Sequence, residues 1–89
     1  MDPENLIQQM QDLAARNGIH VRYEKGDFEG GFCVLKKERI VVINKKLPLS
    51  RRLSVMAQGL ASFGIDQLEM DPALRAVIED ELVKAARIH

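Results

Sequence analysis

The 89-residue sequence has no tryptophan, one tyrosine, three phenylalanines, one cysteine and two histidines. Each scarcity removes a class of function. A lone Cys33 cannot close a disulfide within the chain, so a stapled secreted scaffold is excluded. His20 and His89 have no cysteine or carboxylate at ligand spacing around them, which predicts no structural zinc and no other metal or cofactor. With so few aromatic rings, the stacking platform of a single-strand nucleic-acid binder is missing. No apolar run approaches the length of a membrane span, and no basic-then-apolar segment marks a cleaved leader, so the cytoplasm is the expected compartment. Formal net charge is also absent, 13 basic residues meeting 13 acidic ones, which argues against a protein that coats DNA. Neither Gly-Lys-Ser nor Gly-x-Gly-x-x-Gly follows the glycine pair Gly30-Gly31, so nucleotide binding has no support.

What is present is an apolar fraction of 46%, too high for disorder, patterned as one α+β domain over residues 1–89. Asp2-Pro3 opens a first helix, because an Asp carboxylate caps free amides and Pro at the first helical position sacrifices no hydrogen bond. Leu6, Ile7, Met10, Leu13 and Ala14 form its apolar stripe, and Asn17-Gly18 supplies a left-handed stop. From Ile19 the period becomes two, predicting a strand with Ile19, Val21 and Tyr23 on one face and His20, Arg22 and Glu24 on the other. Turn composition over 25–31 makes the paired glycines the loosest joint before strands at Phe32–Lys36 and Arg39–Asn44. The run Ile40 to Ile43 is apolar on both faces, so either the helices split across the sheet or a partner covers part of it. A second helix follows Pro48 and Ser50, carrying Leu53, Met56, Ala57, Leu60 and Ala61 inward and ending near Phe63-Gly64. Asp71-Pro72 opens a third, with Leu74, Val77, Ile78, Leu82 and Ala85 inward. The order is α-β-β-β-α-α, with a three-stranded, mostly antiparallel sheet.

Chemistry-bearing residues are sparse. Cys33, between Phe32 and Val34 in a strand, reads as a buried small hydrophobe, and an enzyme built on it is the weakest functional reading. Glu79, Asp80 and Glu81 fall on a solvated helical stretch without a catalytic partner. Phe32 and Phe63 read as buried, leaving Phe28 in the glycine-rich turn as the one exposed aromatic. Charge is segregated despite its zero sum. Between Lys36 and Arg52 the local balance is plus six, from Lys36, Lys37, Arg39, Lys45, Lys46, Arg51 and Arg52 against Glu38. Arg51 and Arg52 occupy the first turn of the second helix, where the helix dipole disfavours cations, so an anionic neighbour is expected. It is either internal, among Asp66, Glu69, Asp71 and Glu79 to Glu81, or a partner's acidic patch, or nucleic acid.

The words Gly18-Ile19-His20-Val21, Gly30-Gly31, Ile40-Val41-Val42-Ile43-Asn44, Leu49 and Arg51 to Phe63 occur in an order that resembles the N-terminal part of the ImmA/IrrE family of zinc metallopeptidases. There, an I-x-x-N strand leads into a helix bearing A-H-E-L-G-H. Over residues 18–63 the resemblance implies a zincin-like scaffold. It does not imply the chemistry, because Gln58, Gly59 and Ser62 stand at the degenerate motif positions where two imidazoles and a general-base glutamate would be needed. The sequence therefore points to a non-catalytic, cytoplasmic protein-interaction domain whose partner is a protein, including a second copy of itself. The alternative is a nucleic-acid-associated regulator. Candidate contact residues are Lys36, Lys37, Lys45, Lys46, Arg51, Arg52 and Phe28.

Overall fold

Both Asp-Pro pairs start helices in the computed structural model, which describes residues 2–87. Asp2 accepts a hydrogen bond from the Glu4 amide at 3.4 Å and Asp71 from the Ala73 amide at 2.8 Å, opening α1 (Pro3–Arg16) and α3 (Pro72–Arg87). Between them α2 (Leu49–Ala61) starts behind Pro48 with no side-chain cap and no acid in its first turn. The stops are glycines with positive φ, Gly18 at 71° after α1 and Gly64 at 89° after α2, where an L side chain would be strained. A short 3-10 turn, Ile65–Gln67, separates α2 from the α3 start. Among the described residues no helix is long and apolar enough to cross a membrane.

The three strands are β1 (Ile19–Glu24), β2 (Gly30–Leu35) and β3 (Glu38–Asn44), in the spatial order β1-β3-β2. β3 runs antiparallel to β2 and parallel to β1, so the sheet is mixed and the mostly antiparallel expectation is corrected. The physical reason lies in β3 itself. Its Ile40 to Ile43 run is apolar on both faces and takes the centre, while β1, with one wet face, and β2 take the edges. The link from β1 to β2 must then pass the end of β3, and Asn44 holds it there. The buried Asn44 amide donates to the carbonyls of Gly26 (2.9 Å) and Phe28 (2.8 Å) and accepts from the Lys46 amide (2.9 Å).

Helix α1 lies against β1, α2 lies against β3 and β2, and α3 packs onto α2. Met10, Leu13, Val41, Ile43, Met56, Leu60 and Ile78 are fully enclosed between these layers. Burying such side chains contributes roughly 1.5–3 kcal/mol each. The helices do not split across the sheet. On the face away from them, His20, Arg22, Glu24, Gly31, Cys33 and Leu35 are exposed. Ile40 in the middle of that face is nonetheless only 5% exposed, flanked in register by His20 and Cys33. No helix covers it; within the single chain, its place at the centre of the sheet hides it.

Candidate interaction edge

Among the described residues, the large exposed apolar side chains gather on and around β2, with Val83 on α3 standing apart. Phe32 is 57% exposed, Val34 63%, Leu35 56%, and Phe28 in the preceding turn 40%. Every residue of β2 is exposed, although it is strand throughout. The reading of Phe32 and Cys33 as buried is thereby corrected: α2 covers only the start of this strand, and burial at an edge depends on how far the helix layer reaches. Phe32 instead meets the half-buried Phe63 edge-on, with ring centroids 5.6 Å apart. The Arg39 guanidinium stands over Phe63 at 5.9 Å while donating to the Asn17 carbonyl.

Backbone direction follows from one hydrogen bond. The Asn44 amide donates to the Glu29 carbonyl at 2.9 Å, which makes Glu29 and Asn44 a hydrogen-bonded pair at the end of the antiparallel ladder. Such pairs alternate, so Gly31, Cys33 and Leu35 bond to β3. The amides and carbonyls of Gly30, Phe32 and Val34 then point away from β3, along the free edge. The closing Leu35 and Glu38 pair is joined by Lys36 and Lys37, whose φ values of 53° and 85° give the positive-φ hairpin turn that normally favours Asn-Gly.

The two glycines that begin β2 are not a loose joint. A Cβ on Gly30 would lie 2.4 Å from Val55 Cγ1 and 2.5 Å from the Val42 carbonyl oxygen, whereas one on Gly31 would meet nothing within 4 Å. Gly30 lets α2 approach the strand closely. Beside it, a cleft of about 340 Å³ runs between β2 and α2, lined by Glu29 to Phe32, Val55, Gln58 and Gly59.

Of Gln58, Gly59 and Ser62, the first two line this cleft. Gln58 is exposed and turns back to the Ser54 carbonyl and hydroxyl at 3.2 and 3.1 Å, and the exposed Ser62 hydroxyl donates to the Gly59 carbonyl. Gly59 is buried, and a Cβ there would lie 2.7 Å from Val41 Cγ1, so the space a glutamate side chain needs is occupied by Val41. Among the described residues no three His, Cys, Asp or Glu side chains group closely enough to hold a metal ion; His89 lies outside those residues. A larger cleft of about 500 Å³ opens between the three helices, with Asp80, Glu81 and Lys84 on its lining. Those three charges are already paired, Lys84 reaching Asp80 and Glu81 at 3.2 Å each, and the two carboxylates raise the Lys84 pKa.

The basic segment is not brought together. Lys36 and Lys37 form the turn before β3, and Lys45 and Lys46 follow its other end, a separation of about 25 Å along the strand. Arg51 finds its anion in Glu29 at 2.5 Å, not in the C-terminal third, where Arg75 takes Asp66 and Glu79. Arg52 donates to the Leu47 carbonyl at 3.1 Å. Phe28 is exposed as expected, its ring beside Gly26. Phe32, Val34 and Leu35 are not among the contact residues expected from the sequence. Their signal was the six-residue stretch Gly30 to Leu35 without a charge or a proline. Against family models, curated proteins and solved structures alike, the chain finds no match.

Proposed function

We propose that this domain is a non-catalytic protein-interaction module that receives a partner's extended segment along the free edge of β2. One observation carries the reading. The strand whose amides and carbonyls at Gly30, Phe32 and Val34 point outward is also the strand that exposes Phe32, Val34 and Leu35. Strand addition uses both, main-chain hydrogen bonds for affinity and alternate side chains for selectivity. A scaffold related to the zincins, with its active-site helix reduced to packing, agrees with the order of the motif words and with Val41 in the space beside Gly59. An exposed, unpaired Cys33 agrees with a reducing compartment such as the cytoplasm.

Nucleic-acid binding draws less support, since the basic residues lie at two ends of β3 rather than along one stripe. Affinity capture of the tagged protein, split into nuclease-treated and untreated halves and repeated with Val34→Lys, separates the readings. The module predicts a stoichiometric protein that survives nuclease and moderate salt and is lost with Val34→Lys. Release of all bound material by nuclease or salt, with no effect of Val34→Lys, would overturn it and favour the basic residues.

A further inference from the structure

We infer that the occupant of the β2 edge is a second copy of this chain, the two β2 strands pairing antiparallel about a two-fold axis with Cys33 opposite Cys33. This inference rests on the strand-addition reading above and names its partner. Natural edges are protected by inward charges, prolines, bulges or covering elements, and Gly30 to Leu35 has no charge, no proline and an unbroken register with β3. Protection by pairing remains.

Charge chooses both the partner and the direction. Acids precede the strand at Asp27 and Glu29, and lysines follow it at Lys36 and Lys37. A second β2 laid antiparallel brings the basic end of each copy beside the acidic end of the other, whereas a parallel one sets like charges together. The strand is thus complementary to its own reverse. With Cys33 opposite Cys33, the Lys36-Lys37 turn of the second copy comes beside Glu29, which also holds Arg51.

Hydrogen-bond parity permits this register. Phe32 and Val34, both with outward amides and carbonyls, then stand opposite each other and exchange bonds in both directions, and the aromatic and β-branched side chains form a favourable cross-strand pair. The Cys33 pair is of the non-hydrogen-bonded kind, whose Cα atoms approach to about 4.5 Å, inside the range a disulfide spans. Both faces of the strand are exposed, Val34 on the helix side and Leu35 on the other, so a sheet continued through a second copy shields both. The product is one sheet of six strands with β1 at both outer edges.

Sedimentation of the full chain over a concentration series reaching about 1 mM tests this, since a strand-sized interface falls in the weak class. The expected result is a monomer–dimer equilibrium in the wild type and a monomer throughout for Val34→Lys. That side chain is 63% exposed, so the variant's unchanged thermal midpoint shows that it folds. Under diamide, which takes up two thiol hydrogens as the disulfide forms, the wild-type Cys33 dimer should appear at least about tenfold faster than in Val34→Lys. A wild type that stays monomeric, a dimer that survives Val34→Lys, or a dimer in which Cys33 does not cross-link overturns the inference. If the wild type is monomeric while capture of a different protein still depends on Val34, the self-pairing fails and the interaction module stands.

Discussion

Along β1 the outward amides belong to Val21 and Tyr23, since the Lys45 amide donates to the Glu24 carbonyl and sets the phase of the parallel ladder. His20, Arg22 and Glu24 alternate with them on the open face, and α1 packs alongside, with the Tyr23 hydroxyl donating to Gln11. Along β2 the outward amides belong to Gly30, Phe32 and Val34, and the residues alternating with them are Gly31, Cys33 and Leu35. One edge carries charge beside every outward amide, and the other carries none past Glu29 at its start. Both strands flank the same central β3, so the difference lies in the side chains rather than in the topology. A guarded edge resists pairing, while an unguarded edge of this length is a template for it.

The contrast can be broken first at Asn44, which holds the β1 to β2 link against the end of β3. Asn44→Ala removes three hydrogen bonds from a buried site and should cost about 3 kcal/mol in denaturant unfolding. The loss should fall on β2, with its amides exchanging faster than those of β1. Next is the glycine pair. Gly30→Ala presses a methyl group onto the Val42 carbonyl and should cost about 2 kcal/mol, while Gly31→Ala, with open space around it, should leave the thermal midpoint unchanged or slightly higher. Equal effects at the two positions would contradict the close approach of α2.

Replacing Lys36-Lys37 by Asn-Gly relieves positive φ at both turn positions and should stabilise the hairpin by about 1 kcal/mol. It also removes the basic end of β2, so the self-association should weaken although the fold gains stability. Smallest is the alkaline behaviour of β1. Burial raises the Tyr23 pKa, opposed by the nearby Arg52 charge, so its phenol should titrate above its ordinary value of about 10 in the folded chain and return there in denaturant. Below that value both states are protonated and nothing is lost. As pH rises past it the unfolded state ionises first, so stability should decline through the folded pKa and Tyr23→Phe should remove that decline. Because this is the sole tyrosine, phenolate absorbance reads it directly.

Helices were the legible part of the sequence. The Asp-Pro starts, the glycine stops and the stripes of Met10, Leu13, Met56, Leu60, Leu74 and Ile78 each rest on contacts within a few turns of chain, and all lie where the spacing placed them. Strand order was not legible. A turn at 25–29 followed by a hairpin at Lys36-Lys37 looks the same whether β3 joins the outside of β2 or slips between β2 and β1. The apolar run of residues 40–43 already demanded a central place, and that demand outweighs the meander. Burial at β2 failed for a related reason: alternation in Phe32-Cys33-Val34 marks a strand but not whether a helix reaches it. The basic residues taken as one surface are contiguous in sequence and parted in space by the length of β3.

Amide exchange followed residue by residue in dilute and in concentrated solution tests the contrast between the edges most directly. The account predicts that Phe32 and Val34 exchange rapidly when dilute and become protected as concentration rises, while Val21 and Tyr23 exchange at the same rate throughout. Protection that is independent of concentration at β2, or that appears at β1 instead, would contradict it.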